Sequence, residues 1–128
     1  MAQDYRTLAN TNEEWEQLLA SDAPGVARSK QDWDRLLADD SKRSALFPNC
    51  DAATIDAFTN GLVFNERGLV TADFSMVADN LTYKEWVGIW NEFGAGESLA
   101  GDWAGYKCSS PTSHTCVVAS NCICTSNC

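Results

Sequence analysis

Apolar positions recur at helical spacing in the first half of the chain. In TNEEWEQLLAS (11–21), Trp15, Leu18 and Leu19 fall at i, i+3 and i+4, one face of a short helix. Thr11 followed by Glu14 supplies a capping box at its start. The pattern returns 18 residues on: EEWEQLLASD (13–22) is echoed by QDWDRLLADD (31–40), with Trp33, Leu36 and Leu37 in the places of Trp15, Leu18 and Leu19. Pro24 and Gly25 in the intervening segment favour a turn, so the two helices form a helical hairpin or a duplicated unit. Two copies are too few for a solenoid.

In DAATIDAFTNG, Asp51 is the expected N-cap, Ile55 and Phe58 the inner face, and Asn60-Gly61 a left-handed stop. From 62 to 74 the pattern changes. Leu62-Val63-Phe64 and Leu69-Val70-Thr71 flank a four-residue loop, Asn65 to Gly68, which predicts a small hairpin. The clearest helix is LTYKEWVGIWNEFGAG (81–96), with a second capping box at Thr82 and Glu85 and a stop at Gly94. Trp86, Ile89, Trp90 and Phe93 share one of its faces. That face either docks into the core or stands exposed as the grip of a processing enzyme or transporter.

Periodicity then stops. GAGESLAGDWAG is small and Gly-rich, and Cys108 to Cys128 reads CSSPTSHTCVVASNCICTSNC, with five cysteines, eight Ser or Thr, and no Asp, Glu, Lys or Arg. The expected fold is therefore mainly α: a small acidic helical domain with a candidate short β-hairpin, followed by a flexible Cys/Ser/Thr-rich tail. The expected division is a carrier of 1–96, a linker of 97–107 and a tail of 108–128.

Charge sharpens that division. The net charge of −9 lies wholly before Asp102; from there on, one acid (Asp102) balances one base (Lys107). So acidic a body, with no basic stripe, repels phosphate backbones, so no nucleic-acid partner is expected. MAQDYRTLANTNEEW has neither a basic nor an apolar signal region, and apolar runs fall short of a membrane span, so a chain made and first handled in the cytoplasm is expected. Cytosolic thiols stay reduced, which sits badly with a simple disulfide tail. Cys50, beside a helix start, reads as a lone semi-buried thiol.

The tail is instead rich in reactants. Ser and Thr that lose water become dehydroalanine and dehydrobutyrine, and a cysteine thiolate adds to these electrophiles to close a thioether ring. Short separations keep the closure entropy small. Thr112 or Ser113 with Cys116, Ser120 with Cys122 or Cys124, and Thr125 with Cys128 are such pairs; Cys108 precedes Ser109 and Ser110, so its ring would run the other way. Thr115 and Ser126 complete the hydroxyl set.

An acidic helical body, a Gly-rich junction and a Cys/Ser/Thr-rich C-terminal segment together resemble a precursor of a ribosomally made, modified peptide, most like a class II lanthipeptide (lantibiotic) precursor. Cys116-Val-Val-Ala-Ser120-Asn-Cys122-Ile-Cys124 is similar to the C-terminal ring region of the mersacidin group in the spacing of Cys116, Ser120, Cys122 and Cys124. Those cores carry hydroxyl residues where this chain has Val117 and Ala119, and where it has Asn121 they carry an acid tied to lipid II binding. The body is also longer than a typical class II leader.

The resemblance implies a leader bound by a lanthipeptide synthetase or another modifying enzyme, which dehydrates and crosslinks the core. A transporter-protease then cuts after Gly96 or Gly101, and an antimicrobial, bacteriocin-like peptide is secreted. It implies a bacterial envelope as target, with lipid II put in question by Asn121. The exposed-face reading assigns leader recognition to Trp86, Ile89, Trp90 and Phe93. Thr125 before Cys128 also permits an aminovinyl-cysteine-type ring.

Two rivals stand beside this. His114, Cys116, Cys122, Cys124 and Cys128 contain enough ligands for Zn²⁺ or Cu(I), although no C-x2-C pair occurs. The tail is otherwise a disulfide-rich exported peptide. No enzyme is expected, because His114 is the only histidine and no phosphate loop, paired-carboxylate cleft or zinc helix appears. No cofactor is expected for the precursor.

Overall fold

The computed structural model describes residues 8–21, 26–108 and 115–125. Among the described residues, six α-helices are followed or interrupted by four strands: α1 (Asn12–Ala20), α2 (Lys30–Leu37), α3 (Asp40–Leu46), α4 (Ala52–Asn60), β1 (Leu62–Asn65), β2 (Gly68–Asp73), α5 (Tyr83–Asn91), α6 (Glu97–Trp103), β3 (Ala104–Cys108) and β4 (Cys116–Cys124). The strands make one antiparallel sheet in the order β1-β2-β4-β3. The chain is thus mixed α/β, and the expected mainly helical domain with a flexible tail is corrected. β4, in the presumed tail, is a central strand.

The reason lies in how cysteine behaves when water is excluded. Buried Cys acts as a small apolar residue, so Cys122, Ile123 and Cys124 form a continuous buried run that the polar appearance of the segment conceals. Val117, Val118 and Ile123 are β-branched and suit an extended backbone. The Gly-rich stretch is ordered as well. Leu99, Ala100 and Trp103 of α6 are buried, while Gly101 lies on its exposed side, where a missing side chain costs little packing.

The repeat seen in the sequence is repeated in three dimensions. Thr11 caps α1 by accepting from Glu14 N, while the Glu14 carboxylate accepts from Asn10 N rather than from the cap residue itself. Ser29, Asp32 and Arg28 do the same for α2. Ahead of each helix the chain pairs with one turn after α5: Ala9 N donates to Gly94 O, Gly96 N to Ala9 O, and Ala27 N to Glu92 O. The two copies therefore dock on a shared segment.

The remaining boundaries follow local chemistry. Asp51 caps α4 by accepting from Thr54 N at 2.8 Å. The left-handed stop expected at Asn60-Gly61 is absent: Gly61 has φ −86. Glycine suits the position because an added Cβ would lie 3.2 Å from Asp73 O, where the chain crosses β2. The hairpin forms as expected, with a tighter turn, since Asn65 pairs with Gly68 and only Glu66 and Arg67 lie between them. The Thr82–Glu85 capping box is complete. α5 ends at Asn91, and Gly94 takes the left-handed conformation beyond it with φ +95.

Trp15, Trp33, Trp90, Trp103, Phe58 and Phe93 fill the core beside Leu69, Ile89 and Ile123. Edge-on and tilted ring pairs run through it, and Trp33 touches Phe47, Phe58 and Phe93. No helix among the described residues is long and apolar enough to cross a membrane.

Candidate crosslinking site

β4 cannot be a straight strand. Nine extended residues would place the Cα atoms of Cys116 and Cys124 about 26 Å apart, whereas they are 5.9 Å apart and the two side chains form a disulfide. The bend is built from two residues. Asn121 has φ +57, a left-handed value that Asn tolerates better than most side chains. Within the same irregular interval of β3, Gly105 has φ +89 and open space around it. Between the pairs Ala104–Ile123 and Tyr106–Val118, two steps along β3 answer five along β4. The extra residues form the bend, and the strand folds back on itself.

This fold-back gathers sulfur. Cys108 Sγ lies 3.6 Å from Cys124 Sγ and 3.7 Å from Val70 O. Cys108 is itself disulfide-bonded. Cys122 and Cys50 carry free thiols. Burial raises the Cys122 pKa above the ordinary thiol value, Asp73 raises it further, and Lys107 opposes them. Burial likewise raises Cys50, with Asp51 and Glu85 adding to it. Both thiols are therefore protonated and weakly nucleophilic near neutrality.

The expected hydroxyl reactants divide sharply. Thr115, just ahead of β4, and Ser120, on its outer arm, are exposed. Thr125 is buried, and its hydroxyl donates to Leu69 O at 2.8 Å and Val70 O at 2.9 Å. Ser109, Ser110, Thr112, Ser113, His114, Ser126 and Cys128 lie outside the described residues.

The expected cleavage points are not open linker. Gly96 is buried, caps α6, and donates its N–H to Ala9 O. Gly101 is exposed but sits inside α6. A protease that needs extended backbone would reach either one only after α6 unwinds.

The expected recognition face is a packing face. Ile89, Trp90 and Phe93 are fully buried, and Trp86 is half-buried. What α5 shows to solvent is Tyr83, 62% exposed and stacked on Trp86 with ring centroids 5.9 Å apart. Sequence reading passed over Tyr83, which precedes the apolar stripe. Its hydroxyl donates to Glu97 at 3.0 Å, and that bond holds its pKa above the usual phenol value.

For the metal rival, two of the five named ligands, Cys116 and Cys124, are bonded to each other. Among the described residues no group of three His, Cys, Asp or Glu side chains is placed to hold a metal ion.

No protein-family model matches this chain, and no curated protein and no solved structure matches it either.

Proposed function

We propose that the chain is the precursor of a crosslinked peptide, with residues 108–128 as product and the preceding residues as carrier. The observation that carries this reading is the composition of that segment: five cysteines among eight Ser and Thr, with no charged side chain. Ordinary folded domains do not need that density of paired reactants.

In the thioether form of the proposal, a modifying enzyme removes water from Ser or Thr, leaving an alkene. A cysteine S–H then adds across it, so the carbon–sulfur bond forms with the net loss of one water and no oxidation or reduction. Among the described residues, exposed Ser120 and Thr115 are the reactants such an enzyme meets. A transporter-protease then separates carrier from product, and the product is secreted to act on a bacterial envelope.

A second reading has an observation of its own. Cys116 and Cys124 are joined, with Cys108 beside them, so the segment is crosslinked by disulfides after two-electron oxidation by a thiol oxidant. This form suits an oxidising compartment.

Intact mass of the chain from its native host, after reduction and alkylation, tests both. Loss of one water per dehydrated residue, with tail cysteines that refuse the alkylating agent, supports the thioether form. An unmodified mass with Cys108, Cys116 and Cys124 alkylated only after reduction overturns it and leaves the disulfide form.

A further inference from the structure

The sheet order β1-β2-β4-β3 means that the body offers a slot between β2 and β3, filled by the C-terminal segment. The inner arm, Asn121 to Thr125, is seated there from both sides. β2 pairs with it at Thr71–Cys124, Ala72–Ile123 and Asp73–Cys122, and Ala104 of β3 pairs with Ile123.

Further bonds fix the register. Phe74 N donates to Asn121 O at 2.8 Å, Thr71 Oγ1 to Ile123 O at 2.6 Å, and Thr125 N to Val70 O at 3.1 Å. Ile123 enters the aromatic core with no exposed surface. The Thr125 hydroxyl reaches two β2 carbonyls, Leu69 and Val70. Backbone pairing gives affinity for any strand, while the buried Ile and the buried hydroxyl select the sequence.

We propose that the body is a receptor for an extended peptide, and that its ligand is the chain's own 115–125 segment even after the backbone between β3 and β4 is cut. The inference rests on the proposed role of 108–128 as product, to which it adds a step: the carrier keeps the peptide without a covalent link. Cys122 to Thr125 are shielded while seated, whereas Thr115, Val117, Val118 and Ser120 stay exposed to a modifying enzyme. Release then needs partial unfolding of the carrier or a rebuilt peptide that no longer fits.

The test is a full-length chain with a site-specific protease sequence inserted within 109–114, in a Cys108→Ser background and with dithiothreitol present so that no disulfide joins the pieces. After cleavage, gel filtration reports whether the peptide travels with the body. Co-elution is the expected result; a peptide that elutes alone overturns the proposal.

A second form carrying Thr125→Val keeps the residue's shape and removes its donor. Its peptide should dissociate about tenfold more readily, the loss expected for one buried hydroxyl donor. Equal retention of the two forms would overturn the selectivity. The host-derived mass decides the precursor role separately: retention without modification leaves a self-complementing strand and removes the precursor, and modification without retention does the reverse.

Discussion

Trp33 stacks on Phe93, with ring centroids 5.2 Å apart and planes 18° from parallel. Trp15, the equivalent residue of the first repeat, meets Phe93 differently, donating its indole N–H to the Phe93 carbonyl at 2.9 Å. One repeat thus grips the ring and the other the backbone of the same residue, which joins both to the end of α5.

Trp33 also donates its indole N–H to Thr59 Oγ1 at 3.0 Å and is fully buried. Trp33→Ala should therefore destabilise the chain by about 3–5 kcal/mol, the range for a deleted core aromatic. Thr59→Val, which strands the buried N–H, should cost about 1–3 kcal/mol. Urea unfolding followed by tryptophan fluorescence measures both, and a smaller loss for Trp33→Ala than for Thr59→Val would refute this account of the core.

Gly94 is constrained twice. Its φ of +95 is costly for an L side chain, and a Cβ there would lie 2.6 Å from Leu18 Cδ2. Gly94→Ala should cost more than the ~1 kcal/mol typical of glycine replacement at such a conformation, because contact adds to strain. In a Leu18→Ala background the same substitution should cost less, since the contact is gone and only the backbone term remains. Thermal denaturation of the four proteins in that cycle measures the difference.

Lys42 Nζ lies 3.3 Å from Glu92 Oε1, joining α3 to the residue that caps α5; the Glu92 side chain is 6% exposed and that of Lys42 38%. Lys42→Met leaves a buried carboxylate without this partner and should cost about 1–3 kcal/mol. Pairing it with Glu92→Gln should recover part of the loss. Full additivity in a double-mutant cycle would show that the pair contributes nothing.

The free thiols set an alkaline dependence. Cys122 and Cys50 have pKa values raised in the folded state, by burial first and by acidic neighbours second. The native chain therefore holds these protons more tightly than the unfolded chain. The stability they contribute is fully present below the ordinary thiol pKa and is lost as pH rises through the folded-state values. Replacing both with Ala should flatten the alkaline fall in unfolding free energy. Unchanged curvature would exclude them as its source.

Cys116→Ser releases the Cys124 thiol 3.6 Å from Cys108 Sγ. Its thiolate should attack the Cys108 disulfide, forming a Cys108–Cys124 bond and expelling the former partner as a thiolate. Peptide mapping without reduction identifies the new linkage; Cys124 recovered as a free thiol would show that the two sulfurs do not react.

The local helical code was largely legible. Caps at Thr11, Asp51 and Thr82, the hairpin after Gly61 and the Trp15/Trp33 echo all follow from short-range rules. The C-terminal third was not, for physical reasons. Cys122 and Cys124 act as apolar side chains only once paired or buried, and β4 is specified by partners far away in sequence, at Thr71 to Asp73 and Ala104. Its bend has positive φ at Asn121 and, across the register shift, at Gly105, a combination no local window contains. α6 was hidden because Gly101 suggests a linker while Leu99 and Trp103 supply the anchor. At the crosslinking site, the sequence named Cys108, Cys116 and Cys124 as reactive but offered no means of seeing that the three sulfurs meet.

The position of β4 also sets a timetable. During synthesis β2 and β3 both leave the ribosome before β4, the strand that lies between them, so neither can complete its pairing early, whereas β1 needs only β2. The aromatic core must wait for Ile123, and for that interval β2 presents an unfilled edge. A nascent chain of this kind reaches its final shape only after translation of the segment 116–125, and until then the whole of that segment is accessible.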